Sequence, residues 1–267
     1  MRILIFGASG FIGGYLSRYL ESQGHDVIAL CRSGKVNNFS GSSFVWFFGS
    51  QLDKSIFDSN IDCAIHLAHD FSGEFGAQLT IQETLSNIKS LRQLGVRRQI
   101  FYSSYSAGEH ASSLYGMTKF RIEHAITDDD IIIIRPGLVL GDGGIYGRIN
   151  KWTKKLPIIP LPDGGHGELP VIDIELLCEE TLNVIESVKP NHEYNLFDKK
   201  FCTLRELVLR AAAEHGRNPL IIPISSRLIF LGLKIAGFLK LPLPVNADNL
   251  EGFMANQAAK HISTLRN

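Results

Sequence analysis

Tyr115 and Lys119 stand four residues apart in Tyr-Gly-Met-Thr-Lys, at what reads as the start of a helix. That spacing puts both side chains on one helical face. A phenol ordinarily titrates near ~10, too high for a base near neutrality, and an ammonium beside it favours the phenolate. The pair is therefore predicted to move a proton to and from a substrate oxygen, with Tyr115 as acid and base. Eleven residues earlier Ser104 closes an apolar run, and its hydroxyl is predicted to hold that oxygen towards Tyr115. Ser106 fits either a substrate contact or a loop cap.

A second motif says what accompanies the proton. Gly7-Ala-Ser9-Gly10-Phe11-Ile12-Gly13 follows an apolar strand and opens a helix. Gly7 permits the tight turn, Gly10 lets the backbone approach a pyrophosphate, and Gly13 lets the helix sit close to the sheet. The helix N-terminus then faces negative phosphates, so the motif predicts a bound dinucleotide. With a nicotinamide beside Tyr115, hydride passes between it and a carbinol carbon, and Lys119 has a second use at the nicotinamide ribose. The second strand ends in Cys31, Arg32, Ser33 and then Lys35, with no acidic residue for free ribose hydroxyls. A guanidinium matches a 2′-phosphate, so NADP is the preferred cofactor, with NAD possible through backbone contacts.

The elements that must position these groups alternate along the first half. Strands are predicted at 2–6, 26–31, 44–48, 63–67, 99–103 and 131–135, with helices at 11–22, 79–94 and 116–126. Runs such as the four isoleucines at 131–134 belong in a sheet covered on both faces. The fold class is α/β, a doubly wound parallel sheet of the Rossmann kind with a smaller, interleaved C-terminal lobe. Residues 137–170 read as Gly- and Pro-rich loops around one helix near 147–155. Helices follow at 173–188 and at 203–215, the latter capped by Thr203 with Glu206, with a strand at 193–197 and a helical tail from 225. The expected division is a cofactor domain over 1–165, to which 171–190 returns. Residues 166–267 form the main substrate lobe, which also receives 138–160.

The 267 residues carry 27 Lys and Arg against 27 Asp and Glu, which gives no reason to expect a nucleic acid partner. Cysteines at 31, 63, 178 and 202 form no CxxC pair and fit reduced thiols in a cytoplasmic protein without a metal site. The start of the chain reads as a strand rather than a signal peptide. The apolar stretch 228–245 is interrupted by Lys234 and Lys240, so a helix packed on the small lobe is expected there rather than a membrane span.

The chain resembles the extended short-chain dehydrogenases/reductases, the epimerase/dehydratase family that works on nucleotide sugars. The matching stretches are GASGFIGGYL at 7–16, IHLAH at 65–69, FYSS at 101–104, YGMTK at 115–119 with Glu123 behind it, RPGLVLG at 135–141, VID at 171–173 and YNLFDKKFCTLRELV at 194–208. The resemblance implies a catalytic set of Ser104, Tyr115 and Lys119. It also implies that Leu67, Ala68, His69 and Ser103 pass beside the cofactor, that Pro136 to Leu138 lines nicotinamide and substrate, and that Asp173 anchors the junction of the two lobes. Related enzymes often pair through helices equivalent to 79–94 and 116–126, so the resemblance leaves a homodimer open.

The departures are informative. Gln51 stands where an acidic adenine contact is usual, leaving Ser50 as its substitute, and Thr80 replaces an asparagine. Tyr105 and Ser106 replace the Asp-Glu pair with which sugar dehydratases eliminate water, and the segment between Ser104 and Tyr115 is short. The expected activity is thus epimerisation or 4-keto reduction of a nucleotide-linked sugar, with Arg148, Lys151, Lys154 and Lys155 as candidates for its diphosphate. Two other readings are open: an NADPH-dependent reductase of a small aldehyde or ketone, and a non-catalytic NADP-binding regulatory or scaffold protein.

Overall fold

The computed structural model describes residues 1–32, 36–128, 130–238, 246–255 and 261–265. The first half runs β1 (Arg2–Phe6), α1 (Phe11–Ser22), β2 (Asp26–Cys31), β3 (Ser42–Val45), β4 (Cys63–His66), α2 (Gly73–Gln93), β5 (Arg98–Tyr102), α3 (Leu114–Ala125) and β6 (Ile131–Pro136). The second half continues with β7 (Leu138–Leu140), α4 (Gly144–Thr153), β8 (Ile158–Pro162), β9 (Glu168–Leu169), β10 (Val171–Asp173), α5 (Ile174–Glu186) and β11 (Glu193–Leu196). It ends with β12 (Cys202–Thr203), α6 (Leu204–Ala213), β13 (Leu220–Ile224), α7 (Ser226–Phe238) and α8 (Ala247–Ala255).

Seven strands form one parallel sheet in the order β11-β6-β5-β4-β1-β2-β3. Apolar residues on both faces of the central strands give the sheet two cores, as a parallel sheet requires. Ile3, Ile5, Ile65, Ile100, Ile132 and Ile134 meet Leu16 and Leu20 of α1 and Leu177 and Ile185 of α5. Leu4, Phe6, Ile28 and Leu30 point the other way, towards Trp46 and Leu91 of α2. A third core joins α4, α6, β8, β9 and β10 through residues such as Ile149, Leu161, Leu169, Val171 and Leu207. The α/β doubly wound fold with smaller C-terminal sheets is therefore the one predicted.

Several boundaries differ for physical reasons. The strand predicted at 44–48 is β3, which stops at Val45. Beyond it Trp46 turns inward against Phe6, ring centroids 4.9 Å apart, and the chain reverses at Gly49, whose φ is +86°. The helix predicted from 79 begins at Gly73. Glycine discourages helix locally, but Gly76 is needed there, since a Cβ would lie 2.8 Å from the Asp70 carbonyl oxygen. The loops read into 137–170 contain β7, β8 and β9, and β8 pairs in parallel with β13 despite Pro160 and Pro223. Both strands are edges, which tolerate proline. The predicted capping box at the start of α6 is present, Thr203 with Glu206.

The tail is only partly helical. α7 and α8 are helices, 239–245 lies outside the described residues, and 261–265 is extended beside β11. There Thr264 N donates to Asn195 O at 2.8 Å and Asn195 N donates to Thr264 Oγ1 at 2.9 Å. The outer edge of β11 offers unpaired backbone groups, and the tail supplies partners for them. Leu177, fully buried where α5 meets the sheet and α1, tests the packing. Leu177→Ala should cost about 2–5 kcal/mol, read as a lowered urea midpoint with unchanged secondary structure by circular dichroism.

Candidate functional site

The carboxyl ends of β1, β4, β5 and β6 bring the predicted residues to one edge of the sheet. Gly7 follows β1 with φ +83°, and a Cβ there would lie 2.8 Å from the Ala68 nitrogen, so the first turn and the segment after β4 touch backbone to backbone. A Cβ on Gly13 would come within 2.4 Å of the Gly7 oxygen, which makes glycine necessary for α1 to start against the strand. α1 follows Gly10, its N-cap, with no side-chain cap and no acidic residue in its first turn. Its first N–H groups thus lack side-chain partners and carry the positive end of the helix dipole. A cavity of about 410 Å³ opens there, lined by Ser9, Gly10, Phe11, Arg18, Asn37 and Asp142 among others. Phe11 has a structural part, its ring lying against Gly141, Gly143 and Gly144. Ile12 is half-buried behind it.

The proton-moving pair sits on α3. Ser113 caps this helix by accepting from Gly116 N at 3.1 Å, and Asp248 of α8 accepts from Leu114 N at 2.6 Å. Asp248 carried no signal in the sequence because it lies more than a hundred residues away. Gly116 is required by approach: a Cβ would stand 2.5 Å from the Ser106 oxygen, so the turn holding Ser104 and the start of α3 are in contact. The Ser104 hydroxyl lies 3.0 Å from the Ser106 hydroxyl and accepts from Ser106 N at 3.2 Å. Tyr105 N donates to Pro136 O at 3.0 Å, tying that turn to the end of β6, and Leu138 N donates to Pro170 O at 2.7 Å.

Lys119 is 2 % exposed. Its ammonium donates to Tyr102 O at 2.7 Å, lies 4.8 Å from the Phe101 ring centroid and 5.7 Å from that of Tyr115. Burial pushes it down to about 7, against the opposing pull of Glu123. The protein packed around half-buried Tyr115 strips water from its phenol and pushes it up to about 12. The ammonium by itself does not bring the phenol below its ordinary value. In the chain itself desolvation outweighs the ammonium, and Tyr115 is held as the acid.

Two aromatic side chains from the segment after β4 lean on Tyr115. His69 meets it edge-on at 4.9 Å and Phe71, 79 % exposed, stacks on it at 6.0 Å. Burial, helped by the Lys119 charge, pushes His69 down to about 3, so it is neutral. Its Nδ1 and the Ser103 hydroxyl are both buried without a protein hydrogen-bond partner. Such groups are costly unless something bonds them. Together with the glycine cradle and the uncapped helix, they fit a large polar ligand lying along this edge. Leu67 sits half-buried beside them, its N–H bonded to Phe6 O at 3.0 Å.

Other expectations change in detail. Thr80 accepts from Asp70 N at 3.0 Å and donates to Gly76 O at 2.8 Å, so it ties the segment after β4 to α2. Ser50 uses its hydroxyl to close its own turn on Phe47 O at 2.6 Å. Asp173 is exposed and makes no cap bond to α5. Arg32 is exposed at the end of β2. Asp70 is held below the usual carboxylate range first by hydrogen bonds from Ser72 and then by the Arg32 charge. Arg148, Lys151, Lys154 and Lys155 are all exposed on or just after α4. Among the described residues no group of three or more His, Cys, Asp or Glu is placed to hold a metal ion.

Residues 3–157 match the NAD dependent epimerase/dehydratase family. The chain belongs to that family. An uncharacterized protein of Mycobacterium tuberculosis is 24% identical over 249 residues, 91% of this chain and 26% of that protein. The chain thus spans about a quarter of the length of the first curated relatives it matches. A dTDP-6-deoxy-L-talose 4-dehydrogenase (NAD(+)) of Aggregatibacter actinomycetemcomitans is 37% identical over 73 residues, 26% of this chain and 27% of that enzyme. The fold is shared with the UDP-glucose 4-epimerase of Thermus thermophilus in complex with NAD. The match has a TM-score of 0.65 and 19% identity, over 84% of this chain and 86% of that one.

The Lys119 environment has a consequence for stability. Its folded-state value near 7 lies below the unfolded 10.5, so the unfolded chain binds more protons between those limits and stability rises with pH across them. Below about pH 9 the Tyr115 phenol does not interfere, since its unfolded value is 10.0. The thermal midpoint should therefore climb from pH 7 to 9 more steeply in the wild type than in Lys119→Met, as measured by parallel melts.

Proposed function

We propose that this chain is an NADP-preferring oxidoreductase acting on a nucleotide-linked sugar, as an epimerase or a 4-keto reductase. The observation that carries the reading is the meeting of the Ser104 turn, Tyr115 and buried Lys119 at the same sheet edge as the uncapped glycine loop. The dinucleotide, when bound, supplies hydride chemistry. Gly7, Ser9, Gly10, Phe11, Ile12 and Gly13 would cradle its phosphates, and Arg32 would meet the 2′-phosphate. Leu67, Ala68, His69, Ser103, Pro136 and Leu138 would line the rest of its path.

The chain's own residues handle the oxygen and the proton. Ser104 holds the substrate oxygen by its hydroxyl. Tyr115, protonated because it is desolvated, gives its proton to the oxygen as negative charge develops there. The phenolate left behind lies close to the Lys119 ammonium, which stabilises it in a site of low dielectric. In the reverse direction the phenolate takes the proton back. The nucleotide-sugar class is supported by the family and by the shared fold with UDP-glucose 4-epimerase.

Phe71 and Phe75, 79 % and 74 % exposed, favour a second reading. Phe71 stacks on Tyr115, and an apolar rim of this kind suits a small aldehyde or ketone. A panel of UDP- and dTDP-sugars and their 4-keto derivatives, set against simple carbonyls with the reduced cofactor, separates the two. Turnover confined to simple carbonyls would overturn the sugar reading.

Tyr115→Phe should lower kcat by about a hundredfold or more while cofactor binding stays within about twofold, since it removes the proton donor and little else. Unchanged kcat would sink the mechanism. In fluorescence titrations NADPH should bind more tightly than NADH, and Arg32→Ala should weaken NADPH by about tenfold or more with little effect on NADH. Tighter binding of NADH by the wild type would refute the NADP preference.

A further inference from the structure

The charges of the chain balance overall, 27 against 27, but they are unevenly placed. From His215 to Ala247 there is no Asp or Glu, whereas Arg217, Arg227, Lys234 and Lys240 are all present among many Leu, Ile, Phe and Val residues. The middle of this stretch folds as α7. At about 100° per residue, Leu228, Leu231 and Ile235 fall on one stripe, and they are 64%, 56% and 53% exposed. Arg227 and Lys234 flank that stripe on one side. Leu233, on the far side of the helix, is buried. Over its described side chains α7 therefore leaves an apolar stripe in the open instead of packing it on the small lobe.

Neighbouring elements add to the same character. Leu220 and Ile222 of β13 are exposed, as is Ile158 of β8, which stands opposite Leu220 in register. Lys234 rests its ammonium 4.4 Å from the Phe230 ring centroid, leaving the charge at the helix flank. The carboxylate at the start of α7 belongs to Asp163, and it accepts from Ser226 N at 3.1 Å, where it complements the helix N-terminus.

An apolar stripe with cations beside it and no acidic residue in the segment is complementary to an anionic, partly apolar surface. It is a poor match for a second copy of itself, because a two-fold pairing would bring cations towards cations. α7 has 13 residues, and no described helix is long and apolar enough to cross a membrane. We propose that α7 is a membrane-surface helix. It lies in the headgroup layer of an anionic phospholipid bilayer, with Leu228, Leu231 and Ile235 at the acyl boundary and Arg227 and Lys234 against the lipid phosphates. None of these residues belongs to the Tyr115 site, so the attachment does not rest on the activity proposed above.

Vesicle flotation of the full chain tests this. With phosphatidylcholine vesicles carrying roughly a third phosphatidylglycerol, the protein should float, and it should stay behind with pure phosphatidylcholine. High salt should weaken the association, because the Debye length shrinks. The double variants Leu231→Glu/Ile235→Glu and Arg227→Glu/Lys234→Glu should each reduce binding by about tenfold or more. Circular dichroism and thermal melts of both variants should match the wild type, since the changed side chains are exposed. Failure of the wild type to float with the anionic vesicles overturns the proposal, as does binding that both variants retain. A wild-type dimer seen by light scattering that both variants dissolve, with no vesicle binding, would make the stripe an interface between copies and equally overturn it.

Discussion

Arg135, at the end of β6, is buried with its guanidinium bonded on both sides. Its Nε and Nη2 donate to the two carboxylate oxygens of Glu123 on α3 at 2.9 and 2.7 Å, and Nη1 donates to Glu193 of β11 at 2.7 Å. This fork joins the helix that carries Tyr115 and Lys119 to two adjacent strands of the sheet. Glu123 lies one turn beyond Lys119 and contributes to its electrostatics. Removing one partner of such a buried pair typically costs about 3–5 kcal/mol, because the other charge is left without compensation. The orientation of α3, and with it the position of the phenol over the sheet edge, therefore depends on a charge pair whose members lie outside the site.

The site has its own electrostatic character. Tyr115 is protonated, His69 is neutral and Lys119 gives up its proton more readily than a free lysine, all because burial penalises charge. Proton transfer from the phenol creates a charge that these surroundings were built without, and the Lys119 ammonium, 5.7 Å from the Tyr115 ring centroid, can meet it. Close backbone packing at Gly116 and Gly7 holds the segments that carry these groups together.

The second half of the chain obeys different constraints. Its core is assembled from short strands and two helices, and its last described residues close the exposed edge of β11. The same part of the chain holds α7, with an apolar stripe facing outward. The outer edge of the main sheet is thus closed by backbone partners while the side-chain stripe of α7 is left open. Unpaired backbone groups are the costlier defect.

Much of the fold was legible because its determinants are local. Gly7, Gly10 and Gly13 at their spacing, the apolar runs of the strands, the four-residue step from Tyr115 to Lys119 and the Thr203–Glu206 box each depend on residues close in the chain. The short pairings of β8 with β13, the extended tail along β11 and the cap from Asp248 were not legible, since each rests on a partner far away in sequence. By itself the sequence determined the parallel sheet, the glycine loop and the identity of the groups that could move a proton. Only the tertiary structure decided their protonation, with Tyr115 held as an acid and His69 and Phe71 brought against it, because desolvation depends on what packs around a group rather than on what precedes it in the chain.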